Sequence, residues 1–310
     1  MLTGGTSIDE CIRLRDELIQ LLGKGGFHLA KWASNNCRIL SGLHDTMESN
    51  LSLDKTLNCK ILGTLWNPST DSLRYNAQDT GNHKSLTKRE LLSEIAKVFD
   101  PLGLIEPVMI IPKLLMQELW QQNLQWDEPV FPSILSKWSQ FKSELVSLNT
   151  LSISRCVKFS NDTSHLQLHG FADASQRAYG ACIYLRSYTS KGEFRTELLC
   201  SKARVAPLKA TSLPRLELCA AMLLAQLVHK VRSSVELANV KLFLWSDSTI
   251  TLNWIASASR KWSVFVANRV GEIQRLTEIT DWHHIQSTLN PADVLSRGLN
   301  SKELITCDLW

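Results

Sequence analysis

Apolar positions along the chain follow two alternating periods. Over 7–22, Ile8, Ile12, Leu18, Leu21 and Leu22 recur at helical spacing, Ser7 and Glu10 form a capping-box pair, and Gly23 is placed to stop the helix. Short runs follow. FHLAKW (27–32) and KILGTLW (60–66) read as strands, and the second leads through NPSTD into SLRY as a hairpin. The helical period returns with Thr87 and Glu90 as a second capping box and Leu91, Leu92, Ile95, Val98 and Phe99 behind it. Asp100-Pro101-Leu102-Gly103 ends that helix, because the residue before a proline avoids the α region. Pro107 opens a further helix rich in Ile and Leu that carries Trp120. After WDEPVFP, a helix-like stretch runs from about Trp138 to Leu148.

From Leu166 the pattern changes. LQLHGFADA alternates as a strand, and GACIYLRS and FRTELLCSKAR read as two more, joined by the polar turn TSKGE. A long helix begins near Leu213 with Pro214 at its start. KLFLWSD is a buried strand, followed by helices over 248–257 and 263–277, a strand DWHHI and a last helix. In that helix Asn290 is the expected N-cap and Pro291 the first helical residue, which puts Asp293 in the first turn. The order βββ-α-β-α-α-β-α predicts an α/β unit, a mixed sheet with helices on its faces. The shifts in pattern divide the chain into 1–80, a strand-poor helical 81–125, a mixed 126–165, the α/β unit 166–300 and a tail 301–310.

Composition narrows the class. The chain has 310 residues, 44% hydrophobic and 21% charged, which is globular. Apolar runs such as PVMIIP and AAMLLAQLV are too short to span a bilayer, and MLTGGTSIDE lacks the basic and apolar regions of a signal peptide, so no membrane partner is expected. Eight cysteines without a CxxC pair argue against a zinc knuckle or disulfide framework and favour a reducing compartment. A net charge of +4 is compatible with nucleic acid without requiring it.

The candidate chemistry lies in four acids: Asp173 in FADAS, Glu217 in LPRLEL, Asp247 in WSDS and Asp293 in NPADVLSRG. Each ends an apolar strand or begins a helix, where a carboxylate can point out of a packed core and still be held rigidly. Taken singly, each is as well explained as a surface acid, and Asp293 as a dipole-favoured residue of a first helical turn. Glu217, on an otherwise apolar helix, has to reach solvent or a partner. Four such acids brought together raise one another's pKa unless divalent cations neutralise them. Magnesium prefers carboxylate oxygens, and phosphodiester hydrolysis gains most from two ions roughly 4 Å apart.

These four motifs resemble the acidic motifs of a retroelement ribonuclease H, and their wording is similar to the polyproteins of Pao/BEL-type LTR retrotransposons. Upstream, MLTGGTSIDECIRLRDELIQLL and GGFHLAKWASN resemble the stretch just after the YxDD strand of a reverse transcriptase. LGTLWNPSTDSLRY resembles the palm hairpin that grips the primer, TKRELLSEIAKVFDPLGLIEPV the thumb, and WDEP onward the connection region. The resemblance implies a ribonuclease H-like domain over 166–300, preceded by the end of a polymerase palm and a thumb-like unit. It implies cleavage of the RNA strand of RNA–DNA hybrids with two Mg2+ ions, Mn2+ substituting, held by Asp173, Glu217, Asp247 and Asp293. It implies as partners the hybrid and the rest of the polyprotein, palm and integrase included, in the cytoplasm, within a virus-like particle, and in the nucleus. The chain contains no YxDD, and Met1 is expected to lie just past its place, so DNA synthesis by this chain is not expected. Asp247-Ser248-Thr249 lacks the glycine of a retropepsin loop. The alternative is a catalytically silent, nucleic-acid-binding or structural remnant, including a domesticated one.

Further candidates have ordinary readings beside the functional ones. Ser175, Gln176 and Ser248 flank the acids and read as contacts to the hybrid or as turn and cap partners. His283 and His284 stand where many ribonucleases H place a mobile histidine. Arg260, Lys261, Arg269 and Arg275, with Trp254 and Trp262, read as phosphate contacts or as a solvated helix face over core tryptophans. Lys88, Arg89 and Lys97 face a nucleic-acid groove or simply solvent.

Overall fold

A computed structural model of the chain describes residues 3–5, 7–43, 59–61, 64–78, 85–158, 163–234, 237 and 240–310. Two compact units are present: Met1–Tyr75 with Ser152–Cys156, and Asn76–Leu151 with Val157–Trp310. No helix among the described residues is long and apolar enough to cross a membrane.

The first unit holds α1 (Ile8–Lys24), α2 (Cys37–Leu40) and a four-stranded antiparallel sheet of β1 (Cys59–Ile61), β2 (Thr64–Asn67), β3 (Ser72–Arg74) and β4 (Ile153–Ser154), in that order. Ser7 caps α1 as expected, its hydroxyl accepting from the Glu10 amide at 3.2 Å. The helix passes through Gly23 and ends at Gly25, because glycine inside a helix costs only about 1 kcal/mol and its backbone bonds continue. FHLAKW is not a strand: residues 27–32 pair with no strand among the described residues, Phe27 is 68% exposed, and Lys31 has φ 58°. KILGTLW is two strands rather than one, with Ile61 opposite Thr64 in the β1–β2 pair. The β2–β3 hairpin forms where expected, and the Asn67 side chain accepts from the amides of Ser69 and Thr70. At the end of that turn the Asp71 carboxylate accepts from Nε and Nη2 of Arg155, at 2.6 and 2.9 Å, and joins β4 to the hairpin.

In the second unit, α3 (Lys88–Ala96) carries the expected Thr87–Glu90 capping box in both directions. Asp100 then braces the turn that leads into α4 (Glu106–Gln121), accepting from the amides of Leu104 and Ile105 at 2.9 and 2.8 Å. Next come α5 (Pro132–Leu145) and the sheet, with β5 (Thr163–Ala174), β6 (Ala178–Thr189), β7 (Phe194–Val205), the long α6 (Leu213–Ser234), β8 (Lys241–Ser246), α7 (Thr249–Ala256), α8 (Val264–Leu276), β9 (Trp282–His284), α9 (Asp293–Arg297) and α10 (Ser301–Ile305). Strand order is β7-β6-β5-β8-β9, antiparallel within the meander and parallel from β5 through β9. Alternation along β6 sends Ala181, Ile183 and Leu185 into the core with α6 and α8. Ala178 and Cys182 face the other way, against Ile110 and Leu114 of α4 and Leu295 of α9.

Residues 81–125 and most of 126–165, divided from 166–300 in the sequence pattern, belong to one unit with it. The reason is α4, which covers the edge strand β7. Ser201 N donates to Leu102 O at 2.8 Å, and Ala203 N donates to the Glu106 carboxylate at 3.0 Å. Gly103 makes the close approach possible. Its φ is +72°, and a Cβ there would sit 2.1 Å from Ser201 O. The expected tail 301–310 is likewise structured: Asn300 and Glu303 form a capping box on α10, and the Trp310 indole donates to Leu104 O at 2.9 Å. Lys88 does not line a groove. It is 2% exposed, donates to Leu124 O, and lies 3.6 Å from the centroid of the Trp120 ring. Arg89 and Lys97 pair with Asp127 and Glu94.

Candidate active site

The sheet topology brings two of the acids to one end of the strands. β5 and β8 run parallel with Ala172 opposite Ser246, so the next residues, Asp173 still within β5 and Asp247 just past β8, follow side by side. Glu217 is on the second turn of α6, packed on that sheet, and Asp293 opens α9.

Asp173 is 6% exposed, and its carboxyl accepts from the Ser296 hydroxyl at 2.5 Å. Burial first, then the charges of Asp247 and Asp293, raise its pKa to about 7 against the opposing bonds from Ser296 and the Ala174 amide. Glu217 is also raised, by burial and then by the charge of Asp247, while the Ser248 hydroxyl bonded to it opposes the shift. Asp247 and Asp293 thus act on Asp173, and Asp247 on Glu217. Asp293 has a further partner, Arg297, whose Nε donates to Oδ1 at 2.7 Å.

Gly180, Ser296 and Arg297 were not singled out from the sequence, and Asn290, expected there as an N-cap, has another role. Gly180 lies opposite Asp173 in the β5–β6 pair, and a Cβ there would stand 2.6 Å from Leu295 Cβ, so only glycine lets α9 come this close. Asn290 is buried and does not cap the last helix. Its amide donates to Ala172 O at 3.1 Å and its oxygen accepts from Ala292 N, so it ties the loop to β5 and the helix begins at Asp293. Ser296 and Arg297 follow Asp293 at i+3 and i+4 within NPADVLSRG, so helical spacing from Asp293 was the available signal.

The remaining sequence candidates separate. Ser175 is a structural tie, donating to Ser296 O at 2.7 Å and accepting from the amides of Arg177 and Ala178. Gln176 is exposed in the turn beside Asp173. Ser248 is buried as the N-cap of α7. Arg269 has other partners, with its guanidinium carbon 3.5 Å from the Phe265 ring centroid and its Nε donating to Cys219. Arg275 pairs with Glu272, and Trp254 and Trp262 pack edge-on at 6.2 Å. His284 is exposed opposite Ser246 at the acid end of β8, whereas His283 packs on Trp245.

The donor set is all carboxylate, which suits a hard divalent cation. Its mutual repulsion and desolvation are what such a cation would relieve. Among the described residues no three His, Cys, Asp or Glu side chains stand close enough to hold one ion. Burial and the neighbouring acids make Asp173 hold a proton more readily than an ordinary carboxylate, and Asp293 is paired with Arg297.

A family model described as a Pao retrotransposon-like RNaseH-like domain matches residues 87–248, which include Asp173, Glu217 and Asp247 but not Asp293. No curated protein is significantly similar to the chain. Among solved structures, the N-terminal RNase H domain of a Mycobacterium tuberculosis protein, fused to maltose-binding protein, is 11% identical, with 46% of this chain and 95% of that one covered and a TM-score of 0.28. RNase H1 of Halobacterium salinarum is 12% identical, with 46% and 98% covered and a TM-score of 0.27. The prototype foamy virus protease–reverse transcriptase is 12% identical over 92% of this chain and 46% of its own, with a TM-score of 0.26. With more than half of its length matched by the family model, the chain belongs to the Pao retrotransposon RNase H-like family.

Proposed function

We propose that this chain is a retroelement ribonuclease H that hydrolyses the RNA strand of RNA–DNA hybrids with two Mg2+ ions, for which Mn2+ substitutes. The observation that carries this reading is geometric: Asp173 and Asp247 follow a matched pair on parallel β5 and β8, Asp293 opens the helix whose Ser296 bonds Asp173, and Glu217 is on α6, packed on the same sheet. Divalent ions, when bound, activate water and stabilise the leaving oxygen. The chain's own residues supply the carboxylate oxygens. Ser296 orients Asp173, Ser248 orients Glu217, and burial keeps bulk water off the Asp173 carboxyl. Gln176 and His284, exposed beside the acids, are the proposed contacts to the hybrid. The palm and integrase regions of a retroelement polyprotein are its proposed partners, in cytoplasmic virus-like particles and the nucleus. No polymerase activity is proposed.

The test is cleavage of a labelled RNA–DNA hybrid with Mg2+ or Mn2+ by the chain and by Asp247→Asn. Metal-dependent cutting of the RNA strand, lost in the variant, is expected. A folded chain that cuts in neither metal would favour the second reading, a silent nucleic-acid-binding or structural remnant. One observation supports that alternative: no three acids are grouped to hold an ion among the described residues.

A further inference from the structure

Asp293 and Arg297 stand one turn apart on α9, and an exposed pair at this spacing ordinarily contributes little. This pair differs in its surroundings. The Arg297 side chain is 69% exposed and that of Asp293 25%, so the guanidinium reaches from solvent onto an acid that is largely covered. The guanidinium is held in its charged form by the Asp293 hydrogen bond first, and also by the charges of Asp173 and Asp247. It is therefore a cation bound to one acid of the cluster and placed near the others. Arg297 Nε occupies Oδ1 of Asp293 at 2.7 Å, on one of the four acids of the cluster.

We propose that Arg297 is a built-in competitor of the divalent cations: it neutralises the cluster through Asp293 when no metal is bound and gives that carboxylate up when metal enters. The proposal rests on the reading of the four acids as a metal site. Its physical basis is charge exchange. An arginine beside the acids lowers the cost of keeping them together without metal, and the same favourable energy has to be given back before an ion can bind. Because the arginine side chain lies mostly in solvent, its release leaves no buried cation behind. Arg297 is thus a positioning residue that acts through Asp293.

The experiment is a calorimetric titration of the full chain with Mn2+ at low ionic strength, comparing the original sequence with Arg297→Gln, Arg297→Lys and Asp247→Asn, each checked for cooperative melting. Arg297→Gln is expected to bind Mn2+ roughly tenfold more tightly, the weight of about one close charge pair. Arg297→Lys, which keeps the charge, is expected to fall between it and the original. Binding by Arg297→Gln that equals or trails the original, with Asp247→Asn still abolishing it, would overturn the competitor role and leave the metal site standing. Absence of Mn2+ binding in every folded variant, Arg297→Gln included, would remove the metal site and the proposal together.

Discussion

Glu106 and Asp173 are both 6% exposed, and both sit against the same sheet, one at its β7 edge and the other at the end of β5. Their partners differ. Glu106 meets a cation and a backbone donor, Lys113 Nζ and Ala203 N. Asp173 meets a hydroxyl and an amide, with Asp247 and Asp293 as charged neighbours. Burial is therefore not what marks a carboxylate as functional here. A buried acid with a matching cation holds structure together, whereas a buried acid among other acids is uncomfortable until a proton or a cation arrives.

The sharpest way to break this contrast is to substitute both residues. Asp173→Asn is expected to lower metal-dependent cleavage roughly 100- to 1000-fold, since several kcal/mol of transition-state stabilisation depend on the metals it would hold. The same substitution is expected to raise the melting temperature of the metal-free chain above pH 7, because it removes a desolvated and repelled charge. Loss of both activity and stability would make Asp173 a structural residue like Glu106. Glu106→Ala should do the opposite. It leaves the Ala203 amide without its acceptor and Lys113 without its partner, at a cost of about 3 kcal/mol in urea unfolding. A variant of unchanged stability would show that α4 does not clamp β7 through this group.

Gly180→Ala tests the link between packing and site. The new Cβ would meet Leu295 Cβ at 2.6 Å, so α9 has to shift and carry Asp293 with it. A stability loss of about 1–3 kcal/mol is expected, together with weaker metal-dependent cleavage in the folded protein. Full activity would mean that the position of α9 is not critical. The smallest effect is in pH dependence. The raised pKa of Asp173 contributes stability that is complete below the ordinary carboxyl value of 3.8 and is lost as pH rises through about 7. The stability difference between the original chain and Asp173→Asn should therefore fall over that window without metal, and the fall should flatten with saturating Mg2+. A difference independent of pH would remove the proposed repulsion.

Much of the fold was legible. Alternation in LQLHGFADA, GACIYLRS and FRTELLCSKAR marked the meander, and Thr87 with Glu90 marked the start of α3, because period and capping are local properties of the chain. FHLAKW misled because a strand needs a partner as well as a pattern, and Lys88 because a lysine on a polar face says nothing about two tryptophans arriving from α4 and the loop after it. The four acids stood out through their places at strand ends and helix starts. Ser296, Arg297 and Gly180 did not, since their roles depend on α9 lying against β5 and β6.

The sequence by itself determined which segments become strands and helices, which acids end them, and the resemblance that the family match supports. Those features are written in local spacing and in motif wording. Only the tertiary structure decided that α4 and the last ten residues belong with the sheet, that Asp173 shares a neighbourhood with Asp247 and Asp293, and that Glu106 meets the Ala203 amide of β7. Charge and burial act through space, and residues more than a hundred positions apart become neighbours only when parallel strands and packed helices bring them together.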